Sequence, residues 1–176
     1  GSRQIYSNLY WRLPMVPDAA VECLSRKLAP FERAGWNSSE DDFITPVLEG
    51  DFYLLNSGRY HDQSSGYALT FADSALGSVL PLTIEGNVVS GQWPRITPDG
   101  KTLIFIDVNT RKLFKTVFEN GQWQPVVDLT SASSFTYHAW PSLSPDGSRI
   151  LFTAGNTFNP DHIMEINLDG TGLTTI

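Results

Sequence analysis

Apolar residues in the second half of the chain fall in short clusters, and turn-forming residues punctuate them. Trp93 to Thr97 predicts a short strand. Pro98-Asp99-Gly100 predicts a tight reversal, because proline presets φ, aspartate tolerates the next position and glycine takes the positive-φ site. Leu103-Ile104-Phe105-Ile106 is apolar on both faces, which predicts a strand sandwiched between two layers. Lys112 to Phe118 predicts a third strand, and Asn120-Gly121 a two-residue hairpin. Trp123 to Leu129 predicts a fourth strand, with Pro125 suited to a sheet edge.

The pattern then recurs. Trp-Pro-Arg-Ile-Thr-Pro-Asp-Gly-Lys-Thr-Leu-Ile-Phe at 93–105 returns as Trp-Pro-Ser-Leu-Ser-Pro-Asp-Gly-Ser-Arg-Ile-Leu-Phe at 140–152. Trp, Pro, Pro, Asp, Gly and Phe keep their offsets, and several of these are rare residue types. Ile150 to Thr153, Ile163 to Asn167, a Leu168-Asp169-Gly170-Thr171-Gly172 turn and Leu173 to Ile176 complete the last unit. A shorter copy without the Pro-Asp-Gly turn begins at Thr45-Pro46 and runs through Phe52-Tyr53-Leu54-Leu55. Four antiparallel strands every ~40–50 residues predict an all-β fold of β-propeller blades. The expected organisation is an N-terminal segment over 1–42 and blades over 43–176, at about 43–88, 89–134 and 135–176.

The first 42 residues do not repeat. Ile5 to Leu13 alternates loosely and predicts a strand, broken by Pro14 and Pro17. Asp18 is placed to cap a short helix reaching about Ala29, with Val21, Leu24 and Leu28 on one face and Glu22 and Arg26 paired. Gly35 to Asp42 reads as a polar, acidic loop. The helix suits either a cover over an exposed sheet face or a partner-docking element.

The paired windows, with Ile-Met-Glu-Ile-Asn-Leu-Asp-Gly-Thr-Gly-Leu-Thr at 163–174, resemble the TolB-type β-propeller repeat. They are also similar to blades of prolyl-oligopeptidase-type peptidases and oligogalacturonate lyases. The resemblance covers 91–176 well, 43–90 weakly and 1–42 not at all. It implies a fold, and a periplasmic or extracellular setting, but no single function. Propellers close with four to eight blades, whereas about three are visible. The expectation is therefore a partial propeller excised from a longer chain, as Gly1-Ser2 suggests, or one completed by homo-oligomerisation. A third arrangement has the N-terminal segment shield the gap, its strand Ile5–Leu13 pairing with the last strands of the chain.

Composition narrows the function classes. Twelve Lys and Arg against 19 Asp and Glu give a net charge of −7 over 176 residues. Few cations are available to neutralise phosphates, and no basic stripe is interleaved with aromatics, so no nucleic-acid partner is expected. No apolar run reaches the ~18 residues of a membrane span. Cys23 is single, so no disulfide or Cys-rich metal site forms within the chain. Neither a Gly-x-Ser-x-Gly nucleophile elbow nor a phosphate-binding loop occurs.

Strand order assigns the loops to two ends of the sheets. Loops joining second to third strands, and blade to blade, share one rim, and all three histidines fall there. His61 lies in the loop 56–66, His138 before Trp140, and His162 after the loop 154–161. Arg59, Tyr60, Asp62, Tyr137 and Asp161 fall on the same rim. The expected ligand-binding set is Arg59, His61, Asp62, Tyr137, His138, Asp161 and His162, serving a protein partner, a polar small ligand or a glycan. The lyase resemblance would allow a His-ligated metal, but no local ligand spacing is present, so no metal or cofactor is expected. Asp99 and Asp146 are expected to hold their own turns, and Trp93 and Trp140 to pack between blades. The reading is a non-catalytic binding or scaffold module. The alternative is the propeller portion of a hydrolase or polysaccharide lyase with a histidine-lined site.

Overall fold

Strands of this chain are short because turn residues interrupt them, and each must pair with its sequence neighbour before the next turn arrives. The computed structural model describes residues 79–176 continuously. Before them it describes β1 (Ile5–Tyr6), β2 (Trp11–Arg12), β3 (Glu22–Cys23), β4 (Ser38–Ser39), β5 (Asp41–Val47), β6 (Phe52–Ser57) and β7 (Ala68–Asp73). There follow β8 (Val79–Pro81), β9 (Thr83–Ile84), β10 (Asn87–Val88), β11 (Gly91–Ile96), β12 (Thr102–Asp107) and β13 (Leu113–Glu119). The last are β14 (Gln122–Trp123), β15 (Val127–Asp128), β16 (Tyr137–Leu143), β17 (Arg149–Gly155), β18 (His162–Asn167) and β19 (Thr174–Thr175).

These strands form three antiparallel meanders: β5-β6-β7-β8, then β11-β12-β13 with β14 and β15 both on β13, then β16-β17-β18-β19. The described residues are all-β, with no helix among them. The fourth strand expected at Trp123 to Leu129 is split. Pro125 lacks an N–H and falls between β14 and β15, which pair separately with β13.

In the N-terminal segment only short pairs are described: within the strand expected at Ile5 to Leu13, β1 pairs parallel with β4 and β2 pairs antiparallel with β3. Neither joins the last strands. Glu22–Cys23, inside the expected helix, belongs to β3, so its backbone bonds to a neighbouring strand rather than along a helix. The rest of the helix expected to Ala29 lies outside the described residues. The acidic loop is also shorter than expected, since Ser38–Ser39 is β4 and Asp41 and Asp42 already pair with Ser57 and Asn56 in β5.

The core consists of seams between successive sheets. Leu103 and Phe105 of β12 pack against Leu54 and Leu69 of the first sheet. Ile104 and Ile106, on the opposite face of the same strand, pack against Ile150, Phe152 and Ala154 of β17. All four β12 side chains are buried, as a strand apolar on both faces requires. Gly91 belongs to the first of these seams. A Cβ there would lie 2.7 Å from Phe105 Cδ2, so only glycine admits the ring.

The Pro-Asp-Gly turns are built alike in both copies. Thr97 Oγ1 donates to Asp99 Oδ1 at 2.6 Å, the Lys101 N–H donates to the same oxygen at 3.0 Å, and the Thr102 N–H donates to Thr97 Oγ1. Ser144, Asp146, Ser148 and Arg149 repeat the pattern. These donors hold the Asp146 carboxyl down to about 2, the Ser144 hydroxyl contributing most, then the Ser148 N–H and hydroxyl. Asp99 is lowered too, chiefly by Thr97. The two turns also touch: Gly147, at φ +72°, lies so close to Thr97 and Pro98 that a Cβ would sit 3.0 Å from Pro98 Cδ.

One histidine helps to weld the second seam. His138 is fully buried in β16. Its Nδ1 lies 2.8 Å from the Arg111 carbonyl, which can only accept, so Nδ1 carries the proton. Its Nε2 is 2.9 Å from Ser133 Oγ, and its ring lies 5.8 Å from that of Phe152. Burial pushes the imidazole pKa down, only partly opposed by the Arg111 carbonyl.

Two outcomes follow for stability. His138→Phe removes the ring's bonds to the Arg111 carbonyl and the Ser133 hydroxyl while the backbone N–H of residue 138 still donates to that carbonyl, and should cost about 0.5–1.5 kcal/mol in urea unfolding at neutral pH. The unfolded chain takes up a proton near the ordinary value of 6.5 that the folded chain refuses. His138 therefore lowers wild-type stability as pH falls from neutral through its depressed folded pKa, and the variant should lose that part of the slope. Asp146 acts lower on the scale. Its stabilising bonds are fully present above the unfolded value of 3.8 and are lost as pH falls toward about 2. Asp146→Asn should therefore flatten the acid limb of stability against pH in that window, measured by thermal unfolding.

Candidate functional site

The rim predicted to carry ligands is assembled by three connections. They are the β12–β13 turn at 108–112, the entry to β16, and the β17–β18 loop at 156–161. Asp107 Oδ1 organises the first, accepting the backbone N–H groups of Asn109 and Thr110 and the Thr110 hydroxyl. That turn aims Arg111 at the neighbouring sheet. Its guanidinium carbon sits 5.6 Å from the centre of the Tyr137 ring, and Nη1 donates to Gln92 Oε1 at 2.8 Å.

The third connection folds back on its own strand. At Gly155 an added Cβ would fall 2.9 Å from Pro160 Cα, so the loop closes tightly over β17. Asn156 Oδ1 accepts the Thr136 N–H, tying this loop to the approach of β16. Phe158 then leans on Tyr137, ring centres 5.5 Å apart, while remaining 72% exposed. Beside them His162 Nδ1 donates to Asp161 Oδ1 at 2.6 Å, and the imidazole lies 4.5 Å from the Phe135 ring. Both members of that pair face solvent, the Asp161 side chain 76% exposed.

Of the seven expected residues, Tyr137, Asp161 and His162 lie at this end of the third sheet, Tyr137 against Phe158 and Arg111, and His162 against Asp161 and Phe135. His138 is not among them, because its strand register turns it inward and both ring nitrogens are engaged. Arg59, His61 and Asp62, with Tyr60, lie outside the described residues. Arg111 and Phe158 were missed by the sequence reading. Both sit in second-to-third loops, so the strand-order rule that located the histidines would have found them. Among the described residues, no three His, Cys, Asp or Glu side chains converge as a metal-binding group.

The same rim holds a cavity of about 420 Å³ between the β9–β10 hairpin and the β12–β13 turn. Asn87, Ser90, Asp107 and Asn109 line it with polar groups, and Ile84 and Val88 with apolar ones. Its size falls within the range of small-molecule sites. The hairpin is anchored where the Leu82 N–H donates to the Leu69 carbonyl and the Leu69 N–H to the Val89 carbonyl.

No protein-family model matches the sequence. No curated protein matches it either. Solved structures do. TolB from Acinetobacter baumannii superposes with a TM-score of 0.52 at 20% identity, over 74% of this chain and 33% of that one. A chain of the nidogen/laminin complex superposes at 0.63 and 12% identity, over 94% of this chain and 56% of the other. The Swd1 β-propeller domain of Myceliophteria thermophila superposes at 0.51 and 12% identity, over 78% and 41%. The chain thus spans between a third and just over half the length of these structures. Among the described residues no helix is long and apolar enough to cross a membrane. Three successive antiparallel meanders packed face to face, together with these likenesses, identify the chain as having a TolB-like β-propeller fold.

Proposed function

We propose that this chain is a non-catalytic binding module that engages a protein partner or polar ligand through the rim of Arg111, Tyr137, Phe158, Asp161 and His162. The observation that carries this reading is Phe158. A large aromatic ring held on Tyr137 yet 72% exposed has no packing duty of its own. The Arg111 guanidinium stands over the same Tyr137 ring, and the Asp161 carboxylate and His162 imidazole close the loop that carries Phe158, offering acceptor, donor and stacking surface at one end of the sheet. Exposed aromatic and arginine side chains are the types that dominate binding energy at interfaces.

A basic partner is favoured by charge, since the chain carries −7 and steers cations toward itself. Propeller neighbours in the nidogen/laminin complex and in Swd1 are in keeping with an interaction module. The enzyme alternative asks for histidines converging on substrate. His138 reaches the rim only by giving up Arg111 and Ser133, which favours binding over catalysis.

Titration calorimetry against a panel of basic peptides and neutral and acidic oligosaccharides tests the reading. One class should bind saturably, and Phe158→Ala or Asp161→Asn should each weaken it by about tenfold, equivalent to ~1.4 kcal/mol. Unchanged affinity in both variants, or unsaturated products released from oligogalacturonate by the wild-type chain, would reject it.

A further inference from the structure

The internal repeat builds two seams of the same plan, and they are filled differently. At the seam between the second and third sheets, Ala154 and Tyr137 are buried. Asp107 pairs with Gly91 as Ala154 pairs with His138, so Asp107 matches Ala154 in the repeat and Ser90 matches Tyr137. At the seam between the first and second sheets, these two places hold a carboxylate and a hydroxyl. The other seam holds a methyl group and a large ring there. The cavity of about 420 Å³ opens at this point, where Phe105, Val89 and Phe114 belong to the first seam's apolar cluster. Described chain bounds it on both sides, the β9–β10 hairpin on one and the β12–β13 turn on the other.

The polar groups that line this space are left over by the fold. Asp107 Oδ1 is taken by the Asn109 and Thr110 N–H groups and the Thr110 hydroxyl, whereas Oδ2 has no hydrogen bond among the described residues. The Ser90 hydroxyl and the Asn109 side-chain amide make none there either. The apolar part of the wall is built from rings and branched chains. Phe105 and Phe114 lie with ring centres 6.1 Å apart, and Val88 and Val126, each 41% exposed, stand beside them. No lysine, arginine or histidine lines the cavity. Its one formal charge is therefore negative, on a half-buried side chain, where a carboxylate attracts a cation more strongly than in bulk water.

We infer that this cavity binds a small organic ammonium ion with an apolar or aromatic body. An ammonium group supplies three donors and no acceptor. It matches the three unused acceptors of the wall, Asp107 Oδ2, the Ser90 hydroxyl and the Asn109 amide oxygen. A neutral alcohol offers one donor, and a carboxylate meets Asp107 with repulsion. The body of the ligand takes the valines and the phenylalanine rings, whose faces also favour a cation. Apolar walls with a few placed polar groups are the usual make-up of a small-molecule site. None of the five rim residues of the proposed function lines the cavity, so this inference does not rest on that reading.

Titration of the isotope-labelled full chain with phenethylamine at neutral pH, followed through its amide NMR shifts, tests it. The same spectra report whether each variant stays folded. Saturable shifts are expected at Ser90, Asp107 and Asn109. Phenethyl alcohol and hydrocinnamate keep the ring and the two-carbon arm and change only the head group. Both should bind at least about tenfold more weakly, since charge-assisted hydrogen bonds are roughly twice as strong as neutral ones. Asp107→Asn keeps an oxygen for the turn's N–H groups and should weaken the amine by about tenfold, with the alcohol unaffected. Ser90→Tyr supplies the ring that the second seam carries and should abolish binding. Phe158→Ala should leave amine binding unchanged, so failure here is distinguishable from failure of the rim reading. Absence of saturable shifts, or shifts confined to other surfaces, overturns the inference. So does equal affinity for the three probes, or amine binding that survives intact in folded Asp107→Asn or Ser90→Tyr.

Discussion

A strand that is apolar on both faces tolerates water on neither, and this demand of β12 organises the molecule. Leu103 and Phe105 require a layer on one side, and Ile104 and Ile106 require one on the other. Each sheet is accordingly both cover and covered. Burying a side chain of this size contributes ~1.5–3 kcal/mol relative to leaving it in water, so the seams outweigh any single hydrogen bond in the rims. The order of the sheets, and with it the position of every loop, is a consequence of that packing.

The two ends of the sheets have divided their tasks. At one end the aspartate-centred turns close on themselves and stack across the seam, Gly147 against Thr97 and Pro98. Their carboxylates are consumed by local hydroxyl and N–H donors. At the other end the connections and the start of β18 carry Arg111, Phe158, Asp161 and His162. Between the ends lies His138, whose bonds to Arg111 and Ser133 join the floor of this rim to the apolar seam.

Much of this was written plainly in the sequence. The Trp-Pro and Pro-Asp-Gly spacing gave the strands of the last two sheets, because turn chemistry is local. The structural role of Asp99 and Asp146 was legible for the same reason. The inward turn of His138 was not, since whether a residue before Trp140 faces a loop or a seam depends on where the strand begins. Tyr137 and His138 already belong to β16, and alternation then fixes the imidazole inside. The N-terminal segment was less legible: helical spacing over 18–29 says nothing of a distant partner, and Glu22–Cys23 pairs with Trp11–Arg12.

The proline in the outer strand of the second sheet has an effect beyond its own turn. By cutting that strand into β14 and β15, each two residues long, Pro125 leaves no continuous ladder of donors and acceptors along the margin. A stray extended peptide therefore finds little template for joining that margin, the route by which exposed sheets run into fibrils. Selective contact is left to faces and loops, where side chains rather than backbone decide what is accepted.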